Sequence, residues 1–98
     1  MGDTDNPADT VRAEVEICNN KGLHARASAK FVKLASNFDA QIYVIKDDNR
    51  VDAQSIMGLL MLAAAKGSHI AIEAEGAQAR EAVAALVELV ADKFGEEA

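Results

Sequence analysis

The stretch Asn19-Asn20-Lys21-Gly22-Leu23-His24-Ala25-Arg26-Ala27-Ser28-Ala29 decides how this chain is read. Its first four residues are turn formers, whereas Ala27, Phe31, Leu34 and Phe38 recur downstream at spacings of four, three and four, one face of a helix. A loop therefore turns into a helix at His24, which stands at or next to the N-cap. The first N–H groups of a helix have no intrahelical partner, and its dipole is positive there, so this end suits an anion such as phosphate. Arg26 brings a planar set of fixed donors to the same end, and an imidazole is a nucleophile able to carry a covalent group. A histidine at a helix start is often no more than a solvated surface residue. The charge pattern argues for more. Between Ile17 and Phe38 lie Lys21, Arg26, Lys30 and Lys33 and no Asp or Glu, in a protein whose net charge is −6. A local positive field in an acidic protein fits a phosphoryl group or an acidic partner surface.

Upstream of the loop, Val11 to Cys18 alternates, with Val11, Ala13, Val15 and Ile17 on one side and Arg12, Glu14 and Glu16 on the other. This is the pattern of a half-buried strand. Downstream, the first helix is expected over Ala25 to Asn37, with Lys30 and Lys33 on its exposed face. Gln41 to Lys46 reads as a strand, Asp47-Asp48-Asn49 as a turn and Arg50 to Ala53 as a short strand completing a hairpin. Ser55 is placed to cap a short helix running to about Ala64, and Lys66-Gly67 to end it. That helix is apolar nearly all round, through Ile56, Met57, Leu59, Leu60, Met61 and Leu62. A domain this small cannot bury every side of it, so part should face solvent or a partner. His69 opens a fourth strand, with Ile70, Ile72 and Ala74 on one face and Ala71, Glu73 and Glu75 on the other; the histidine reads as an exposed strand residue. After Gly76, Val83, Leu86, Val87, Val90 and Phe94 make the stripe of a last helix ending near Gly95, beyond which Glu96-Glu97-Ala98 should fray. The order is strand, helix, strand, strand, short helix, strand, helix. Each strand has one apolar face, so the helices should share one side of a four-stranded sheet, an α+β two-layer arrangement.

The 98 residues allow one domain with a thin core of Ile, Val and Leu, since much of the apolar half is alanine. Residues 1–10, with Asp3, Asp5 and Asp9, Asn6 and the single proline Pro7, lack periodicity and are expected to form a disordered tail before a domain over 11–98. No apolar run approaches a membrane span, and no basic segment followed by an apolar one marks a secretory signal; the expected location is cytoplasmic. The single cysteine, Cys18, fits a reducing compartment and reads as a small residue at a strand end. Four basic residues on an acidic chain make too small a field for nucleic acid.

Gly22-Leu23-His24-Ala25-Arg26, followed by Gln54-Ser55-Ile56-Met57-Gly58 and then Ala65-Lys66-Gly67, resembles the HPr family, the histidine phosphocarriers of the phosphoenolpyruvate-dependent phosphotransferase system. The resemblance covers about Val11 to Phe94. It implies an open-faced sandwich in which a four-stranded antiparallel sheet carries three helices on one face (βαββαβα). It further implies that His24 accepts a phosphoryl group from enzyme I on Nδ1 and passes it to an enzyme IIA domain, with Arg26 stabilising the phosphate. The carrier would need no cofactor or metal and would act as a monomer, without membrane or nucleic-acid partners. Ile56, Met57 and Leu60 then correspond to the apolar part of the docking face, ringed by Arg26, Lys30 and Lys33. Ser55 corresponds to the serine that an HPr kinase/phosphorylase modifies in many bacteria. One position departs from the family's pattern: Ala27 stands where proline usually follows His-Ala-Arg. Proline in a first helical turn pre-sets φ and omits an N–H that is unpaired anyway, so alanine should serve.

Two readings compete with a carrier. A small-ligand sensor would use His24 and Arg26 to hold a phosphate or carboxylate non-covalently at the helix end. A hydrolase would need a carboxylate to orient His24, and none lies near it in sequence.

Overall fold

The computed structural model describes residues 10–98; most of the tail expected over 1–10 lies outside them. Strand β1 (Val11–Glu16) is followed by α1 (Ala25–Ala35), β2 (Gln41–Lys46), β3 (Asn49–Asp52), α2 (Ile56–Met61), β4 (His69–Glu75), α3 (Ala79–Ala91) and a 3₁₀ turn at Lys93–Gly95. The four strands form one sheet in the order β1-β4-β2-β3, every pair antiparallel. The three helices pack against one face of it, as the one-sided apolar pattern requires.

Register follows side-chain period. Val15 pairs with Ile70 and Val44 with Ile72, which puts the alternating apolar residues of neighbouring strands on the helix side together. The central strand β4 is covered most, with Ile70, Ala71, Ile72 and Ala74 all buried. The same core holds Phe31 of α1, Leu59 of α2, and Leu86, Val90 and Phe94 of the last helical segment, each fully or almost fully buried. The other face of the sheet is polar. Arg12 pairs with Glu73, which also lies 3.8 Å from Arg50, and the Arg50 guanidinium stacks 3.8 Å over the Tyr43 ring. His69 is exposed there, opposite Glu16, as expected of a strand residue on the solvent side. Among the described residues no helix is long and apolar enough to cross a membrane.

Five boundaries differ from the sequence expectation. Strand β3 runs over Asn49–Asp52 rather than Arg50 to Ala53, because Asn49 already pairs with Lys46 across the hairpin. The first strand stops at Glu16, although Ile17 continues the pairing by donating to Ser68 O at 2.8 Å and accepting from Gly67 N at 2.7 Å. Cys18 lies just past it, its thiol donating to Val90 O at 3.4 Å. Helix α1 ends at Ala35, where Ser36 turns its hydroxyl back onto Val32 O. Helix α2 is shorter than its apolar run: after Leu62 the chain takes a left-handed residue at Ala63, which frees Ala64 O to accept from Leu23 N–H at 2.9 Å. The last helix does not run straight to Gly95. It ends at Ala91, and Lys93 and Phe94 both take positive φ (58° and 56°), so the chain bends back over α1 while Phe94 stays buried.

Candidate functional site

His24 is the N-cap of α1, in extended conformation (φ −77°, ψ −178°), with its carbonyl accepting the first helical bond from Ser28 N–H at 2.8 Å. Its side chain makes no capping bond, so the ring is free for other use. The loop before it is held from several directions. Gly22, at φ +65°, packs against the Ala64–Ala65 backbone; Leu23 N–H donates to Ala64 O; and Ser28 Oγ donates to Leu23 O at 3.2 Å. The buried Asn19 amide donates to Gly22 O at 2.8 Å. These bonds hold the loop from outside the first turn, where Ala27, at the position of the usual proline, is fully buried.

The kink at Lys93–Gly95 brings in a residue that the sequence did not suggest. Phe94 anchors in the core, Lys30 Nζ donates to Phe94 O at 2.7 Å, and Asn20 N–H donates to Ala98 O at 2.9 Å. Glu96 is thereby laid against the site. Its Oε1 accepts from Asn19 Nδ2 at 3.0 Å, and its Oε2 lies 2.5 Å from His24 Nε2. Residues 96–98 therefore do not fray as expected, because a buried anchor and three hydrogen bonds fasten them. The hydrogen bond from Asn19, then that with His24, hold the Glu96 carboxyl below the usual carboxylate range; the charges of His24 and Lys21 act in the same direction, while burial opposes it. The carboxylate missing from the neighbourhood of His24 in sequence is thus supplied by a residue 72 positions away.

His24 opens onto two shallow clefts. One, of about 230 Å³, is lined by Lys21, Arg26, Glu96 and Glu97; the other, of about 280 Å³, by Leu23, Leu60 and Ala63 to Ala65. Arg26 thus stands beside the histidine at the helix end, in a cleft it shares with Lys21 and two carboxylates. Lys33 is exposed on α1, whereas the ammonium of Lys30 is engaged by the Phe94 carbonyl. Leu60 borders the histidine cleft, and Ile56, one turn earlier, continues its row. Ile56 is 41% exposed, Met57 67% and Met61 77%, so the apolar surface extends to Met61, which the docking face expected from sequence did not include. Ser55 caps α2, its Oγ accepting from Gly58 N–H at 2.9 Å. Among the described residues no three His, Cys, Asp or Glu side chains gather as metal ligands.

The family model described as the PTS HPr component phosphorylation site matches residues 11–92. The phosphocarrier protein HPr of Neisseria meningitidis is 51% identical over 86 residues, covering 88% of this chain and 97% of that protein. The phosphocarrier protein NPr of Klebsiella oxytoca is 44% identical over 89 residues, 90% of this chain and 99% of that one. Among solved structures, an HPr from Thermoanaerobacter tengcongensis superposes with a TM-score of 0.86 at 46% identity, covering 90% of this chain and 99% of the other. A histidine at an open helix end, on a four-stranded antiparallel sheet with three helices to one side, therefore sits in a chain that belongs to the HPr family of phosphotransferase-system phosphocarriers.

Proposed function

We propose that residues 11–98 act in the cytoplasm as a carrier that takes a phosphoryl group from enzyme I on His24 and passes it to an enzyme IIA domain. The observation that carries this reading is the placement of His24 at an uncapped helix N-terminus, in one cleft with Lys21 and Arg26. A carrier must hold the phosphoryl group without committing it. Unpaired helix N–H groups and a nearby guanidinium stabilise the dianion, while a shallow cleft lets donor and acceptor approach in line. The exposed Ile56 and Met57, with Leu60 next to the histidine, supply an apolar patch for transient docking, and Arg26, Lys30 and Lys33 supply the charged rim. Incubation with phosphoenolpyruvate and enzyme I should add one phosphoryl group to the protein, and an enzyme IIA domain should remove it. A protein that gains no mass under these conditions is not such a carrier.

Arg26 contributes to transfer more than to folding. It is exposed, and a cation at a helix start gains nothing from the dipole. Arg26→Ala should slow phosphorylation of His24 and leave the melting temperature nearly unchanged. Equal phosphorylation rates in the two proteins would remove Arg26 from the site.

Ser55 has two roles to separate. As a cap its loss should cost about 1 kcal/mol, read by denaturant unfolding of Ser55→Ala. As a target of an HPr kinase/phosphorylase, it would place nearly two negative charges at the start of α2, which the helix end accepts, beside the apolar docking patch, where an acidic partner does not. Ser55→Asp should therefore fold normally and accept phosphate on His24 more slowly than Ser55→Ala. Equal rates for the Asp, Ala and parent proteins would leave Ser55 a cap alone.

A further inference from the structure

We infer that Glu96 is a positioning residue for His24: its carboxylate holds the ring proton on Nε2 and so leaves Nδ1 as the nitrogen with a free electron pair. An ionised carboxylate only accepts, and Oε2 of Glu96 lies 2.5 Å from His24 Nε2, so in the neutral ring that nitrogen must carry the hydrogen. The carboxyl is kept ionised by the Asn19 hydrogen bond at its other oxygen. Asn19 itself has one orientation available. Its Nδ2 serves two acceptors, Gly22 O and Glu96 Oε1, and the reverse orientation would set its oxygen against both; the cost of the arrangement is a buried Oδ1 without a protein partner. Asn19 thus ties the loop that carries His24 to the residue that orients its ring.

The placement of Glu96 is built rather than incidental. Two successive left-handed residues, Lys93 and Phe94, turn the chain out of α3, and each costs conformational energy unless something compensates. The compensation is the buried Phe94 ring, the Lys30 bond to Phe94 O and the bond from Asn20 N–H to Ala98 O. The charged groups lining the cleft are Lys21 and Arg26 on the loop and α1, and Glu96 and Glu97 on the returning chain. Among them Glu96 alone stands within hydrogen-bond distance of the ring.

This inference rests on the carrier reading for its consequence. When the Nδ1 electron pair forms the N–P bond and the bond from phosphorus to the donor's leaving group breaks, the ring becomes a cation that keeps its Nε2 hydrogen. Glu96 faces that hydrogen and balances the charge. On transfer onward the N–P bond breaks, its electron pair returns to Nδ1, and the ring is again neutral with no proton moved. Without the carboxylate the phosphorylated ring can lose the Nε2 proton, and departure would then have to expel an imidazolide anion.

Glu96→Gln separates the possibilities, because glutamine fills the same space with a single acceptor. Its oxygen can serve Asn19 or His24 but not both, and an N–H facing Nε2 favours moving the ring proton to Nδ1. The ¹⁵N chemical shifts of the His24 ring in the unphosphorylated protein should show Nε2–H in the parent and a larger share of Nδ1–H in Glu96→Gln. Phosphorylation by phosphoenolpyruvate and enzyme I should slow roughly tenfold, as is usual when the partner that orients a functional imidazole is removed. Glu96→Asp keeps two acceptor oxygens and should stay closer to the parent in both measurements. Ring shifts that coincide in the parent and Glu96→Gln would overturn the inference, whatever the change in melting temperature. Failure of the parent to take up phosphate would instead defeat the carrier reading, and the ring shifts would still decide the role of Glu96.

Discussion

His24→Ala is expected to abolish phosphorylation by phosphoenolpyruvate and enzyme I while leaving the protein folded. The parent should gain one phosphoryl group that is lost in mild acid and retained in alkali, because protonating a phosphoramidate turns the ring into a good leaving group. The substitution removes the only histidine at a helix N-terminus among the described residues; the other, His69, lies on the open face of the sheet against Glu16. The fold should survive because the His24 side chain caps nothing. Its carbonyl, which accepts from Ser28 N–H, is unchanged, and Glu96 keeps its bond to Asn19. Mass spectrometry before and after acid treatment reads the first result, and thermal unfolding the second. A His24→Ala protein that still gained an acid-labile phosphate would move the site to His69.

Much of this arrangement was legible locally. The turn formers at Asn19 to Gly22 and the spacing of Ala27, Phe31 and Leu34 put His24 at a helix start, and Ser55 ahead of an apolar run marks a cap; both signals need only neighbouring residues. Strand alternation likewise determined which side the helices cover. What escaped depends on distant parts of the chain. The early end of α2 answers to Leu23, which needs Ala64 O outside a helix, and a single apolar run carries no trace of that demand. The bend at Lys93 and Phe94 is hidden for a related reason. Left-handed backbone is usually announced by glycine or asparagine, and here two side-chain-bearing residues adopt it under tertiary contacts. With the bend goes Glu96, whose contact with His24 spans most of the chain. Gly95 and the apolar spacing of Phe94 were the available hints, and they point to a chain reversal without saying what it reaches.

Gly22→Ala is expected to be the most destabilising single methyl group that can be added near the site. Two costs coincide there. The backbone is at φ +65°, where a β-carbon costs about 1–2 kcal/mol. That β-carbon would also stand 2.5 Å from Ala64 O and 2.9 Å from Ala65 Cα, contacts that only a backbone shift can relieve. The oxygen it meets is the one that accepts from Leu23 N–H, so backing the loop away breaks a bond between buried residues, at a further cost of about 1 kcal/mol. Together these give a loss of about 2–3 kcal/mol, which in a domain of this size lowers Tm by roughly 10–15 °C. Gly67→Ala is the control. Gly67 also has positive φ, +92°, but nothing lies within 4 Å of the point its methyl group would occupy, so it should show the conformational cost without the collision. Because the displaced segment carries His24, Gly22→Ala should also slow phosphorylation at temperatures where it remains folded, and Gly67→Ala should not. If both variants unfold at the same temperature, the close approach of the histidine loop to the Ala64–Ala65 backbone is not what holds it in place.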